Sequence, residues 1–210
     1  MDRSAGHRVG GGQARHRPDV AGALLAKQSG QPLRLYSTRD FGRDRFPGAR
    51  SVLVKSSLAV PLVQRMRAEL GPGLVAFVGN GLVSADLPAN GSGSELVGLL
   101  SPHGTEVVVG KGASQFDIIR IAATNAVNYD MGTEDLIRKL KQWDVAYGID
   151  IVMADTDTIQ LRLKTVPPDI HAFAKELYAF CPDIVDQGVG SVEKLERSIR
   201  ESRTVFLWWD

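Results

Sequence analysis

A single cysteine, Cys181, stands in the whole sequence, so no internal disulfide can form and the core alone must hold the fold. That suits a reducing compartment. Aromatic residues make up only 7% of the chain. No apolar run approaches the roughly 18 residues that a membrane-spanning helix needs. Val20–Ala26 has the size of a short signal h-region, but Asp19 and the glycine-rich lead before it argue against that role. These absences together point to a cytoplasmic protein without a membrane segment. Nucleotide-binding fingerprints are also missing. Gly110-Lys111-Gly112 follows an apolar strand yet matches neither G-x-x-x-x-G-K-[ST] nor G-x-G-x-x-G, and it reads as a plain turn.

What is present is ordinary in total and uneven in placement. The apolar fraction is 43% and the charged fraction 23%, values typical of a soluble globular protein. Residues 1–50 hold ten Lys/Arg against four Asp/Glu (+6), residues 51–129 five of each, and residues 130–210 ten against fifteen (−5). A basic arm therefore precedes an acidic body. Residues 1–19 have almost no large apolar side chains and are expected to be disordered, with residues 38–50 a linker of similar flavour. The arm reads as a solvated tail; the alternative is contact with nucleic acid, which lacks interleaved aromatics for base stacking. The acidic body disfavours nucleic acid. The expected organisation is a basic arm and linker over 1–50 and one domain over 51–210, best defined over 107–210.

Order is expected from about Val52. Leu62, Val63, Met66 and Leu70 share a helical face, Leu74–Val78 is a short strand, and residues 84–105 form a long loop. Val107–Val109 reads as a buried strand, and Ser114 with Asp117 has capping-box spacing for the helix that follows. Thr133 is expected to cap a helix with the stripe Leu136, Leu140, Trp143 and Tyr147. Strands over Ile149–Met153 and Ile159–Leu163 form a hairpin, the second with one face in water. Helices follow with Phe173 and Leu177, then Leu195 and Ile199, turned inward, the last capped by Ser191. Val205–Asp210 closes the chain as a strand built into the sheet. The class is α+β: a mainly antiparallel sheet with helices packed on one face, a two-layer sandwich with the C-terminal strand inside the sheet.

Asn128-Tyr129-Asp130, Phe180-Cys181-Pro182-Asp183, Gln187-Gly188 and Trp208-Trp209-Asp210 occur together here. In these motifs the chain resembles the bacterial proteins grouped as domain of unknown function 4253, strongly over about 107–210 and loosely over about 59–78. The resemblance brings no catalytic role to any residue. It implies kinship with immunity and interaction proteins of bacterial competition systems, and so a toxin-like protein partner.

Three chemistries are open to these residues. Cys181 as a nucleophile needs a base, and His171, ten positions back on the preceding helix, lies about 15 Å along its axis. A small buried thiol is the simpler reading. Asp155, Asp157, Asp183, Asp186 and Asp210 could gather around a divalent cation, yet Asp155, Asp157 and Asp183 also suit turns. If the chain ends at Asp210, that residue carries two carboxylates. Trp208 and Trp209 point to opposite faces of their strand, so one enters the core and the other packs or meets a partner. The expectation is a non-catalytic binding protein with no cofactor and no metal. Its candidate surface is Tyr129, Asp130, Asp155, Asp157, Cys181, Asp183, Trp208, Trp209 and Asp210. The rival is a small hydrolase or metal-dependent enzyme using Cys181 or the aspartates.

Overall fold

Thr105–Lys111, with the apolar Val107–Val109 at its centre, forms a strand in the middle of the N-terminal half of the sheet, and both of its faces are covered. The computed structural model describes residues 17–36, 39–40, 43–45, 48–80 and 104–210. The elements run α1 (Arg17–Ser29), β1 (Arg34–Leu35), β2 (Arg39–Asp40), β3 (Arg43–Asp44), β4 (Arg50–Val54), α2 (Ser56–Glu69), β5 (Leu74–Asn80) and β6 (Thr105–Lys111). Then come α3 (Asp117–Ala122), a 3-10 turn (Val127–Tyr129), α4 (Thr133–Tyr147), β7 (Ile149–Ala154) and β8 (Thr158–Leu163). The chain closes with α5 (Ile170–Phe180), a π turn (Ile184–Val189), α6 (Val192–Ser202) and β9 (Thr204–Trp208).

Among the described residues seven strands form one sheet in the order β1-β4-β6-β5-β7-β8-β9, and β2 with β3 makes a separate ribbon. Neighbours are antiparallel except β5 and β7. The α+β class and the mainly antiparallel sheet are as expected. Alternation along the strands divides the core in two. Phe77, Val108, Ile151, Ile159, Leu161, Val205 and Leu207 face α3–α6. Val52, Val54, Ala76, Val78, Val107 and Val109 face the other way, with Leu62 and Met66 of α2 and Ala21 and Leu25 of α1. The two-layer arrangement thus describes residues 105–210, and the first two helices add a third layer on the other face.

That third layer corrects the expectation that order begins near Val52. Part of the supposed arm is helix and strand, held by tertiary burial of Ala21 and Leu25 rather than by a long apolar stripe. Tyr36, just before the supposed linker, and Arg45 and Ala49 within it are buried as well. Gly79 makes room for Tyr36, since a Cβ there would stand 2.9 Å from its ring and 2.4 Å from Val108. Residues 1–16 and 81–103, where a disordered tail and most of a long loop were expected, lie outside the described residues.

Three local readings also change. Gly132, not Thr133, occupies the cap of α4; Asp135 Oδ2 accepts the Gly132 N–H at 3.0 Å, and the Thr133 hydroxyl donates to Thr124 C=O. Gln160 on β8 is buried, so that strand exposes less than strict alternation predicts. The closing strand is paired into the sheet, but at its edge rather than in its interior, because among the described residues β9 bonds only β8. Ser191 caps α6 as read, accepting the Lys194 N–H at 3.2 Å.

The parallel pair is incomplete. Val78 and Met153 are its one register pair, and side chains fill the space before it. Arg67 donates from Nε to Ala76 C=O at 2.8 Å and from Nη2 to Ile151 C=O at 2.5 Å. Gln115 donates to Ile149 C=O and accepts the Ile151 N–H at 2.9 Å. These two side chains satisfy backbone groups that a ladder would otherwise pair.

Candidate functional site

The last strand is tied down by groups that the sequence offered as candidate chemistry. Trp209 is the tryptophan that enters the core. Its indole N–H donates to Phe180 C=O at 3.2 Å, and its ring meets Phe180 edge to face at 5.5 Å. Phe180 meets Trp143 in the same way at 5.3 Å, and Trp143 meets Phe173 at 5.7 Å. Such T-shaped pairs each add about 0.5–1.5 kcal/mol beyond area burial. Trp143 N–H donates to Glu176 Oε1 at 3.0 Å, which satisfies the one polar atom of a buried indole.

Cys181 is fully buried at the end of α5. Its thiol donates to Trp208 C=O at 3.0 Å, and its Sγ accepts the Trp208 N–H at 3.3 Å. Burial pushes the thiol up to about 11, with the nearby Asp183 charge adding to the shift against the opposing backbone hydrogen bonds. At neutral pH the sulfur is therefore protonated. His171, the one histidine among the described residues, pairs with Glu196 at an exposed position. Among the described residues nothing prepares a thiolate.

Asp183, only 5% exposed, gathers donors from three segments. Gln187 Nε2 donates to Oδ1 at 2.9 Å, the Asp210 N–H donates to Oδ2 at 3.0 Å, and the Tyr129 hydroxyl bonds the same carboxylate. Burial alone would raise this carboxyl; the bonds from Asp210, Tyr129 and Gln187 outweigh it and hold the group below the usual carboxylate range. Burial, and then the bond to Asp183, push the Tyr129 phenol up to about 12. Asp130 caps the 3-10 turn with φ +56 and is exposed. Its neighbour Tyr129, not Asp130, is the residue of the Asn-Tyr-Asp motif that reaches Asp183.

The remaining aspartates divide between two places. Asp157 accepts from the Thr158 hydroxyl at 2.8 Å, and its C=O takes the Trp209 N–H at 3.2 Å, so it belongs with the strand end. Asp155 turns instead to Arg45, which is 3% exposed and also donates to the Tyr36 hydroxyl at 2.9 Å. The Arg45 guanidinium lies 4.9 Å from the Tyr36 ring centre. Burial drives the Tyr36 phenol far above its ordinary value. Nearby, Ser51 donates to the buried Glu106 at 2.5 Å. This polar set was not foreseen: arginines between aspartates and glycines look alike whether solvated or buried.

The geometry thus brings Tyr129, Cys181, Asp183, Trp208, Trp209 and Asp210 together and sends Asp155 elsewhere. Among the described residues no group of three or more His, Cys, Asp or Glu could hold a metal ion. A cleft of about 390 Å³ lies where β5 and β7 diverge, lined by Arg67, Leu74, Gln115, Ile118, Asp150 and Lys164 among others, away from Cys181. No described helix is long and apolar enough to cross a membrane.

On the face away from α3–α6, Phe206 and Trp208 are half-buried. Their cross-strand neighbours on β8 are Gln160 and Thr158, and exposed Arg162 stands opposite Thr204.

A family model described as Domain of unknown function (DUF4253) matches residues 106–210, from β6 through the bound Asp210. No curated protein and no solved structure matches the chain.

Proposed function

The chain belongs to the DUF4253 family, and we propose from the geometry that it is a protein-binding domain whose contact surface is the β8–β9 edge of the sheet. The observation that carries this reading is the use made of the reactive side chains. Cys181 and Asp183 spend their hydrogen-bonding capacity on Trp208 and Asp210. They fix the strand instead of facing a substrate. Phe206 and Trp208 remain half-buried beside that fixed edge, and large aromatics on rigid supports are the usual anchors of interfaces. The net −5 of residues 130–210 steers a positively charged partner. An immunity-type neutraliser of a bacterial toxin, working in the cytoplasm, is the concrete form of this reading.

The test is capture by the immobilised full chain from an extract of its own cells, followed by reconstitution with the purified captured protein. Trp208→Ala should weaken the reconstituted complex by about tenfold or more while leaving the fold intact. The opposite result would be turnover of ester, peptide or phosphodiester substrates that disappears in Cys181→Ser or Asp183→Asn. That outcome would replace binding with catalysis.

A further inference from the structure

The pairing of β9 with β8 fixes which way its backbone points. The Trp209 N–H donates to Asp157 C=O, and the Leu163 N–H donates to Arg203 C=O. With Leu207 opposite Ile159 and Val205 opposite Leu161, residues 203, 205, 207 and 209 turn their polar groups toward β8. Antiparallel alternation then turns those of Thr204, Phe206 and Trp208 outward. Cys181 takes both outward groups of Trp208, and Ser202 Oγ accepts the Thr204 N–H at 3.0 Å. The Phe206 N–H, the Phe206 C=O and the Thr204 C=O have no partner among the described residues.

We propose that this stretch of β9 takes an extended segment of the partner protein as an added antiparallel strand, with an apolar residue opposite Phe206 and a basic residue toward Asp210. The inference rests on the protein-binding reading and gives it a mode. One residue of the segment exchanges both of its polar groups with Phe206, and the residue two positions on donates to Thr204 C=O. Open sheet edges are templates for such pairing unless something blocks them. Here the thiol blocks the edge at Trp208 and stops short of Phe206. The incoming side chain opposite Phe206 lies on the same face as Phe206 and Trp208, so it meets aromatic surface. Exposed Asp186 and Asp210 mark the Cys181 end, which selects a cation there.

The probe is a short capped peptide alternating valine and lysine, titrated into the full 15N-labelled chain. The Phe206 amide should shift saturably and exchange with solvent about tenfold more slowly in the complex. Phe206→Pro removes the outward N–H at an edge position where proline is tolerated; it should lose about tenfold in affinity, whereas Phe206→Leu keeps binding. If the proline variant does not fold, a peptide N-methylated at the residue meant to pair with Phe206 decides, and it should not bind. Three results would overturn the proposal: an unmoved Phe206 amide at saturation, an equal response to a valine–glutamate peptide, or a dimer of the isolated chain paired through β9. With the captured partner, loss of binding in Trp208→Ala but not in Phe206→Pro would sink strand addition and leave the binding reading standing. Loss in neither would remove the binding reading itself.

Discussion

Cys181 and Trp208 close one end of the sheet between them: the thiol donates to the Trp208 carbonyl at 3.0 Å and accepts its amide at 3.3 Å. A cysteine in this position is an edge cap. It satisfies two backbone groups that would otherwise face either water or another strand.

The cap has a pH signature. The folded thiol titrates near 11 against an ordinary value of 9.0, so the folded state holds this proton more tightly than the unfolded chain. Its contribution is fully present below pH 9 and is lost as pH rises toward 11, by about 2–3 kcal/mol at most. Denaturant unfolding between pH 8 and 11 should show this loss, and Cys181→Ser should lack it while keeping a hydroxyl donor and acceptor at the site. Native protein should also label slowly with a thiol reagent at neutral pH. Rapid labelling would contradict the capped, buried sulfur.

Asp183 gives the acid-side counterpart. Its folded carboxyl lies below the ordinary range, so its contribution is present above about pH 4 and fades as pH falls through the folded value. Asp183→Ala strips the acceptor from Gln187, Tyr129 and the Asp210 amide at once. The expected cost is about 1–3 kcal/mol, with faster hydrogen exchange at Trp209 and Asp210. An unchanged exchange pattern would mean that the carboxylate does not hold the strand end.

The family-matched half was legible because its signals are local. The stripe Leu136, Leu140, Trp143, the Ser191 cap and the alternation of Val205, Leu207 and Trp209 each lie within one element, and burial follows them. What escaped depends on partners far apart in sequence. Arg45 meets Asp155 across 110 positions, and no spacing rule marks an arginine for burial. Cys181 and Trp208 both stood in noted motifs, yet nothing local pairs them over 27 positions. The edge placement of β9 was hidden for the same reason, since strand order is a property of the whole sheet.

The first helix was missed because its buried side is narrow. Ala21 and Leu25 are its buried large or small apolar contacts with the Val52–Val54 layer, while Val20 is 64% exposed. If α1 belongs to the fold, Leu25→Ala should cost about 2–5 kcal/mol and lower the thermal midpoint of the full chain. A midpoint equal to that of the unaltered protein would return this segment to the status of an appendage.

Deleting residues 205–210 tests how far the fold depends on its last strand. The deletion removes Val205, Leu207 and Trp209 from the core under α4–α6, and with Trp209 goes one end of the Phe180–Trp143–Phe173 ring series. It also leaves β8 as a new edge and strips Asp183 of the Asp210 amide. A single large aromatic lost from a core costs about 3–5 kcal/mol, against a total of roughly 5–15 kcal/mol for a domain. Three buried side chains and a strand ladder exceed that reserve. The truncated protein should therefore be insoluble, or soluble without a cooperative unfolding transition. Asp210→Ala keeps the backbone N–H that Asp183 accepts, so it should unfold within error of the unaltered chain. A truncated protein that still melted cooperatively would show that β9 is an ornament on a self-sufficient sheet, and the edge it offers a partner would then be dispensable for folding.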